Sequence, residues 1–247
     1  LFPLTCPITG VHMGIYAGRA AATRGIGRED QDHWALQSQQ RYAAALAAGK
    51  FRDEVVPLEV PGREGPRIVA QDEQPRPDTT YEKLASLPPA FEPEGTVTAG
   101  NAPGLNDGAA ALLLTTRAHA LAKGWEPLAR LVAWGQVAAA PQEIATAPAE
   151  AARAALRAAG LRADAIALWE INEAFAAVTL TAMQCLDLAP EQVNVNGGSV
   201  AIGHPVGATG ARILMTLIYE LRRRGGGLGL ATICGAGAHG KAAVVEA

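Results

Sequence analysis

Apolar side chains recur along this chain at helical or strand spacing in some stretches and lose all period in others. From Gly27 the run GREDQDHWALQSQQRYAAALAAGKF carries acids first, apolar residues at helical spacing next and Gly49 before Lys50, which predicts a capped surface helix over 29–48. The following DEVVPLEV alternates apolar and polar residues as an exposed strand does. Residues 60–95 are dense in Pro, Asp, Glu and Arg without clean periodicity and read as a loop excursion. After Gly100 the text changes: NDGAAALLLTTRAHALAKG reads as a nearly continuous apolar helix and LARLVAWGQVA as a buried strand. From about residue 127 onward strand and helix patterns alternate through ARLVAWGQV, EAARAALRAAG, AIALWEI, EAFAAVTLTAMQCL, a glycine-rich loop, a helix over 207–224, GLGLATIC and KAAVVEA. Alternation of this kind predicts an α/β layer, a mixed sheet covered by helices.

Composition adds exclusions. A chain of 247 residues, 49% apolar and 18% charged, buries one substantial core or two modest ones, and its formal charge of −3 gives no basic face broad enough for nucleic acid or an anionic membrane. The expected partners are small molecules. Cys6, Cys185 and Cys234 are too few and too scattered for a disulfide framework, which fits a reducing compartment, and the protein is read as cytoplasmic. Apolar stretches break well before the roughly 20 residues a membrane span needs, and the start at Leu1 has neither a basic nor an apolar leader region. The helix from Gly207 ends in Arg222, Arg223 and Arg224; the triplet either complements the negative helix end or binds phosphate.

Three segments place a reactive side chain at a strand end or in a glycine-rich turn: INEAFAA at 171–177, NGGSVAIGHPVGATG at 196–210 and CGAGAHG at 234–240. Taken singly, Asn172 fits a helix N-cap, His204 a packed or surface histidine and Cys234 a small buried hydrophobe. Together, a carboxamide, an imidazole and a thiol are the parts needed for proton transfer beside a stabilised oxyanion. Gly235, Gly237 and Gly240 satisfy G-x-G-x-x-G, but the KAAVVEA that follows offers no helix to receive a pyrophosphate. No metal site is expected.

NGGSVAIGHPVGATG resembles the second signature of the thiolase family, and GLATICGAGAHGKA resembles its third, the cysteine-bearing segment. INEAFAA, GTVTAGNAPGLNDGAA, RPDTTYEKLASLPPAF and VHMGI are similar to further thiolase segments, in the family's order. The resemblance implies the layered αβαβα thiolase fold: residues 1–105 as the lid-like loop domain, 106–126 as the closing part of an incomplete first core domain, and 127–247 as a complete second core domain. It implies acyl transfer to or from coenzyme A, by Claisen condensation of two acetyl-CoA or thiolysis of acetoacetyl-CoA. Cys234 is then similar to the acid/base cysteine that moves the α-proton, and His204 to the histidine that activates the acyl-accepting nucleophile. Asn172 matches the asparagine that holds a water at the enolate oxygen, and the Ala236 N–H a donor to the tetrahedral oxyanion. For coenzyme A the resemblance points to His12 and Met13 near the pantetheine, Phe91 and Ala99 along it, Arg76 by the nucleotide and Ala174 with Phe175 by the thioester.

No permanently bound cofactor is implied; coenzyme A thioesters are substrates, and a homodimer or homotetramer is expected. Pro103 stands where the family usually has Ser, and His239 where Met or Gln is common. The family's nucleophilic cysteine belongs to a segment that would precede Leu1, and neither Cys6 nor Cys185 substitutes for it. The chain alone is therefore not expected to complete ping-pong transfer. Three alternatives stay open: a 3-ketoacyl-CoA thiolase of β-oxidation, a non-catalytic coenzyme A-binding remnant, and a ketoacyl synthase, the last disfavoured because a second histidine would stand at position 172.

Overall fold

The structure, a computed structural model, describes residues 4–62 and 65–247. Two helices open it, α1 (Met13–Ala22) and α2 (Arg28–Ala47), followed by a small antiparallel pair, β1 (Leu58–Val60) with β2 (Arg67–Val69), and the short α3 (Tyr81–Ala85). After α4 (Arg117–Ala122) come β3 (Arg130–Ala138), α5 (Ala147–Ala159), β4 (Leu168–Ile171), α6 (Ala176–Leu186), α7 (Ser199–Ile202), α8 (Thr209–Arg223), β5 (Leu228–Gly235) and β6 (His239–Glu246). The main sheet has the order β3-β6-β5-β4, with β5 antiparallel to β6, β6 antiparallel to β3, and β4 parallel to β5. No helix among the described residues is long and apolar enough to cross a membrane.

The sheet is covered on two faces. Alanine-rich α5 lies over β3, β6 and β5, while α8 lies over β5 and β4. The first face buries Trp169, Ile171, Leu230 and Val244 against Ala151, Ala152, Ala155 and Leu156 of α5. The second buries Leu168, Ala231 and Val245 against Ile213, Leu217 and Leu221 of α8. Each large apolar side chain removed from water in this way contributes about 1.5–3 kcal/mol. The close seat of α5 depends on Gly135 of β3, where an added Cβ would come within 2.7 Å of the Ala151 carbonyl oxygen. A third cluster joins the opening helices to the sheet's end and contains Met13, Ala17, Val97, Phe175, Val178 and Cys234.

The alternating strands and helices after residue 127 fall where periodicity predicts them, and α2 occupies the predicted surface helix. Among its described residues, the loop excursion of 60–95 holds the end of β1, then β2 and α3. Two expectations are overturned: β3, read as a buried strand, is an edge strand on which Leu131 and Trp134 are exposed. The apolar run from Asn106 is not a helix: residues 106–116 form neither helix nor strand, and only Arg117–Ala122 turn helical, capped by the Thr116 hydroxyl, which accepts from the His119 N–H. A continuous apolar run has neither the helical nor the strand period, so its composition suits either state. Leu113 and Leu114 are largely exposed. The arginine triplet is engaged within the chain. Arg223 and Arg224 each donate to Glu220 at 2.9 Å and so neutralise a buried acid, while Arg222 donates to the Leu128 carbonyl and to exposed Glu126.

Candidate active site

Asn172 directly follows β4, and its backbone N–H donates to the Thr232 carbonyl of β5 at 2.9 Å. Cys234 lies two residues beyond Thr232 on that neighbouring strand, so thiol and carboxamide sit at the same end of the sheet, on strands about 4.8 Å apart. The helix that follows Asn172 is capped at Phe175, and the Asn172 side chain caps nothing; it reaches two other groups instead. Its Nδ2 lies 3.4 Å from His204 Nε2, and its Oδ1 accepts from the Ser199 hydroxyl at 2.7 Å.

His204 is delivered by the glycine-rich loop between α7 and α8. Its backbone N–H donates to the Gly104 carbonyl and to Asn106 Oδ1, which ties the loop to the segment before residue 106. Gly203 makes that docking possible: its φ is +106°, and any Cβ there would overlap the Asn106 amide. The imidazole Nδ1 is 2.7 Å from Thr209 Oγ1, whose own proton goes to the Pro205 carbonyl at 2.9 Å. Thr209 can then only accept, which leaves the proton of neutral His204 on Nδ1 and a lone pair on Nε2. Burial, aided by the nearby Arg212 charge, pulls His204 down to about 4, so the ring is neutral at physiological pH. Burial pushes the Cys234 thiol up to about 12, and it stands protonated.

Ala236 occupies the turn from β5 to β6, exposed, with Gly237 and Ala238 both in the left-handed region. Its carbonyl accepts from His239 Nδ1 at 3.1 Å, so the second imidazole is held on the outside of the turn. His12 caps α1 by accepting the Gly14 N–H and stacks on Phe91 at 4.1 Å between ring centroids. Phe91 in turn meets Phe175 edge-on at 6.0 Å, and Met13 and Ala174 pack in the same cluster. Exposed Ala99 lies in the turn that ends at Asn101, whose carbonyl accepts from the Ala176 N–H beside Phe175. Arg76 stands apart from these. Its guanidinium donates to the carbonyls of Glu73, Gln74 and Pro75 in its own loop, and its backbone N–H donates to Gln39 of α2.

Several supporting residues escape a reading of the sequence. Glu173, next to Asn172, is fully buried and accepts from Trp34 Nε1, Ser38 Oγ, Asn194 Nδ2 and the Val200 N–H at 2.8–3.1 Å. It clamps α2 to the loop that carries His204. Arg212 of α8 donates to Ser199 Oγ at 3.0 Å and lies 3.8 Å from Glu170, which burial raises to about 8 against the pull of that arginine. The only local signal for Glu173 is an acid inside an otherwise apolar strand-to-helix passage. Ser199 and Thr209 are signalled only by their nearness to His204 in the glycine-rich text.

The chain matches the thiolase N-terminal domain over residues 2–118 and the thiolase C-terminal domain over 125–247. It belongs to the thiolase family. It is 51% identical over 243 residues to an acetyl-CoA acetyltransferase of Rhizobium meliloti (strain 1021), covering 98% of this chain and 62% of that protein. It is 47% identical to an acetyl-CoA acetyltransferase of Escherichia coli (strain K12), with the same coverage. The crystal structure of the Bacillus anthracis acetyl-CoA acetyltransferase superposes with a TM-score of 0.96 at 44% identity, covering 98% of this chain and 62% of that one. Human mitochondrial 3-ketoacyl-CoA thiolase in complex with CoA gives 0.91 at 40% identity, covering 99% of this chain and 61% of that one. The chain thus spans about 62% of the length of these relatives.

Proposed function

We propose that this chain supplies the acid/base half of a thiolase site that transfers acyl groups to or from coenzyme A, with acetoacetyl-CoA and acetyl-CoA as its substrates. The observation that carries the reading is the buried pairing of Asn172 with His204 at 3.4 Å, at the sheet end that also holds Cys234. In thiolysis, cleavage of the carbon–carbon bond leaves an acetyl-CoA enolate, and the Cys234 thiol gives its proton to that carbon. A thiol held protonated by burial suits this step. The Asn172 Nδ2–H donors are assigned to the enolate oxygen through a water they hold. His204, neutral with its Nε2 lone pair free, takes the proton of the attacking coenzyme A thiol or of the acyl-accepting cysteine, and then offers Nε2–H to the oxygen. The exposed Ala236 N–H is assigned to the tetrahedral oxyanion.

His12, Met13, Phe91, Ala99, Ala174 and Phe175 are assigned to the pantetheine and thioester. Their apolar, stacked surfaces suit a thin chain with few charges. Arg76 gives only Nη1 to its own loop's carbonyls, and its Nε and Nη2 are assigned to the nucleotide phosphates. Residues 1–105, 106–126 and 127–247 are assigned to the loop domain, the end of the first core domain and the second core domain. A cytoplasmic homodimer or homotetramer is proposed with them. The relatives named acetyl-CoA acetyltransferase support acetoacetyl-CoA as substrate; the likeness to human 3-ketoacyl-CoA thiolase supports longer 3-ketoacyl chains as the second reading. The test is thiolysis by this chain completed with the remaining part of the Rhizobium meliloti relative. Cleavage of acetoacetyl-CoA supports the first reading. Cleavage of long 3-ketoacyl-CoA alone supports the second, and coenzyme A binding without cleavage of either points to a non-catalytic remnant.

A further inference from the structure

We infer that Ser199 is a positioning residue: held by Arg212, it fixes which way the Asn172 carboxamide faces and thereby which nitrogen of His204 carries the proton. The inference rests on the functional reading above for its consequence in catalysis, and on hydrogen-bond directions alone for its geometry.

Each link in the chain has one permitted direction. A guanidinium only donates, so at 3.0 Å Arg212 Nη2 takes up a lone pair of Ser199 Oγ and leaves the hydroxyl proton to be given elsewhere. The acceptor 2.7 Å away is Asn172 Oδ1. A carboxamide bonded through its oxygen on that side must turn its NH2 to the other side, where His204 Nε2 lies at 3.4 Å. A donor facing Nε2 favours the tautomer with the proton on Nδ1, and Thr209 at 2.7 Å, its own proton committed to Pro205, receives it. Ser199, Asn172 and Thr209 are all essentially inaccessible to solvent, so water cannot replace a missing member. Without the Ser199 hydroxyl, only the Thr209 contact at Nδ1 opposes a turn of the carboxamide that brings Oδ1 toward Nε2; an acceptor there suits only Nε2–H, for which the Thr209 hydroxyl must turn its proton from the Pro205 carbonyl to Nδ1. His204 would then begin the cycle with its base nitrogen already protonated, and Asn172 would present an acceptor where a donor is needed. Sequence alone gives Ser199 no such role, because its two partners lie 13 and 27 residues away.

The test is Ser199→Ala, which removes one oxygen from a short helix and keeps the fold. In the 247-residue chain labelled with ¹⁵N-histidine, long-range proton–nitrogen correlation reads the His204 tautomer. The wild type is expected to show Nδ1–H and the variant a shift of population to Nε2–H, in a chain still folded by circular dichroism whose urea midpoint falls because Arg212 and Asn172 each lose a buried partner. An unchanged tautomer in the folded variant overturns the inference. In the completed enzyme the variant is expected to lose roughly 10- to 100-fold in kcat with little change in KM. A tautomer that shifts without loss of kcat overturns the positioning role. A folded wild type that cleaves no acetoacetyl-CoA sinks the functional reading instead, while the tautomer still decides the relay on its own.

Discussion

Glu173→Gln replaces one carboxylate oxygen by an NH2 group in a pocket where every facing atom is a donor. On the Oε1 side are Trp34 Nε1–H and Asn194 Nδ2–H, and neither can turn away: Asn194 is locked to Ile171 through both its oxygen and its nitrogen. On the Oε2 side are the Ser38 hydroxyl, which can rotate to accept, and the Val200 N–H, which cannot. The new NH2 therefore settles against Ser38 and Val200, leaving the Val200 N–H and the second amide proton without an acceptor and weakening the other bonds by loss of the charge. A buried donor without a partner costs about 1–3 kcal/mol, and bonds to a charged group contribute about 1.5–3 kcal/mol each against about 1 for neutral ones. A loss of about 2–4 kcal/mol follows. Glu173→Ala, which strands all four donors, should lose about 3–5 kcal/mol. Urea unfolding followed by circular dichroism measures both. A Glu173→Gln chain within about 0.5 kcal/mol of wild type would refute the reasoning, because it would mean that the clamp between α2 and the His204 loop carries no net energy.

Acid should destabilise the fold through His204. Unfolded, the ring protonates below 6.5; folded, it resists until about 4, so stability is full above 6.5 and is lost as pH falls through that window, by about 3 kcal/mol at most. His204→Gln should flatten the pH dependence of the urea midpoint there, and an unchanged slope would count against a buried neutral ring. Cys234 acts at the other end: the unfolded thiol ionises above 9.0 while the folded one holds its proton to about 12, so stability declines as pH rises between them. Alkylation of Cys234 in the native chain should accordingly stay slow at pH 8, and fast labelling there would contradict the burial argument. Gly135→Ala should push α5 off β3 and cost about 3 kcal/mol or more, read as a fall in thermal midpoint; a neutral variant would mean the helix can slide.

Ile213 to Leu221 was legible because α8 buries one stripe and so writes its period into the text, whereas Leu168 to Ile171, buried on both faces, was legible as a short apolar run. Residues 106–116 were not, because a run apolar on every side carries no phase that tells helix from extended chain. Cys234, His204 and Asn172 could be singled out by their glycine-rich or strand-end settings. Their supports could not. Trp34 reaches Glu173 across 139 residues and Lys50 reaches Glu220 across 170, and contacts of that range leave no local pattern. The direction of the Asn172 amide was equally hidden, since it depends on a serine and an arginine that local patterning leaves unmarked.

In the proposed function, Cys234 moves the proton on the carbon next to the thioester. Exchange of the methyl protons of acetyl-CoA in deuterium oxide, followed by NMR on the chain completed with the remaining part of its Rhizobium meliloti relative, reads that step without the rest of the cycle. The wild type should exchange the methyl group, and Cys234→Ala should fall to the buffer rate while still binding acetyl-CoA. Equal exchange by the two proteins would contradict the account.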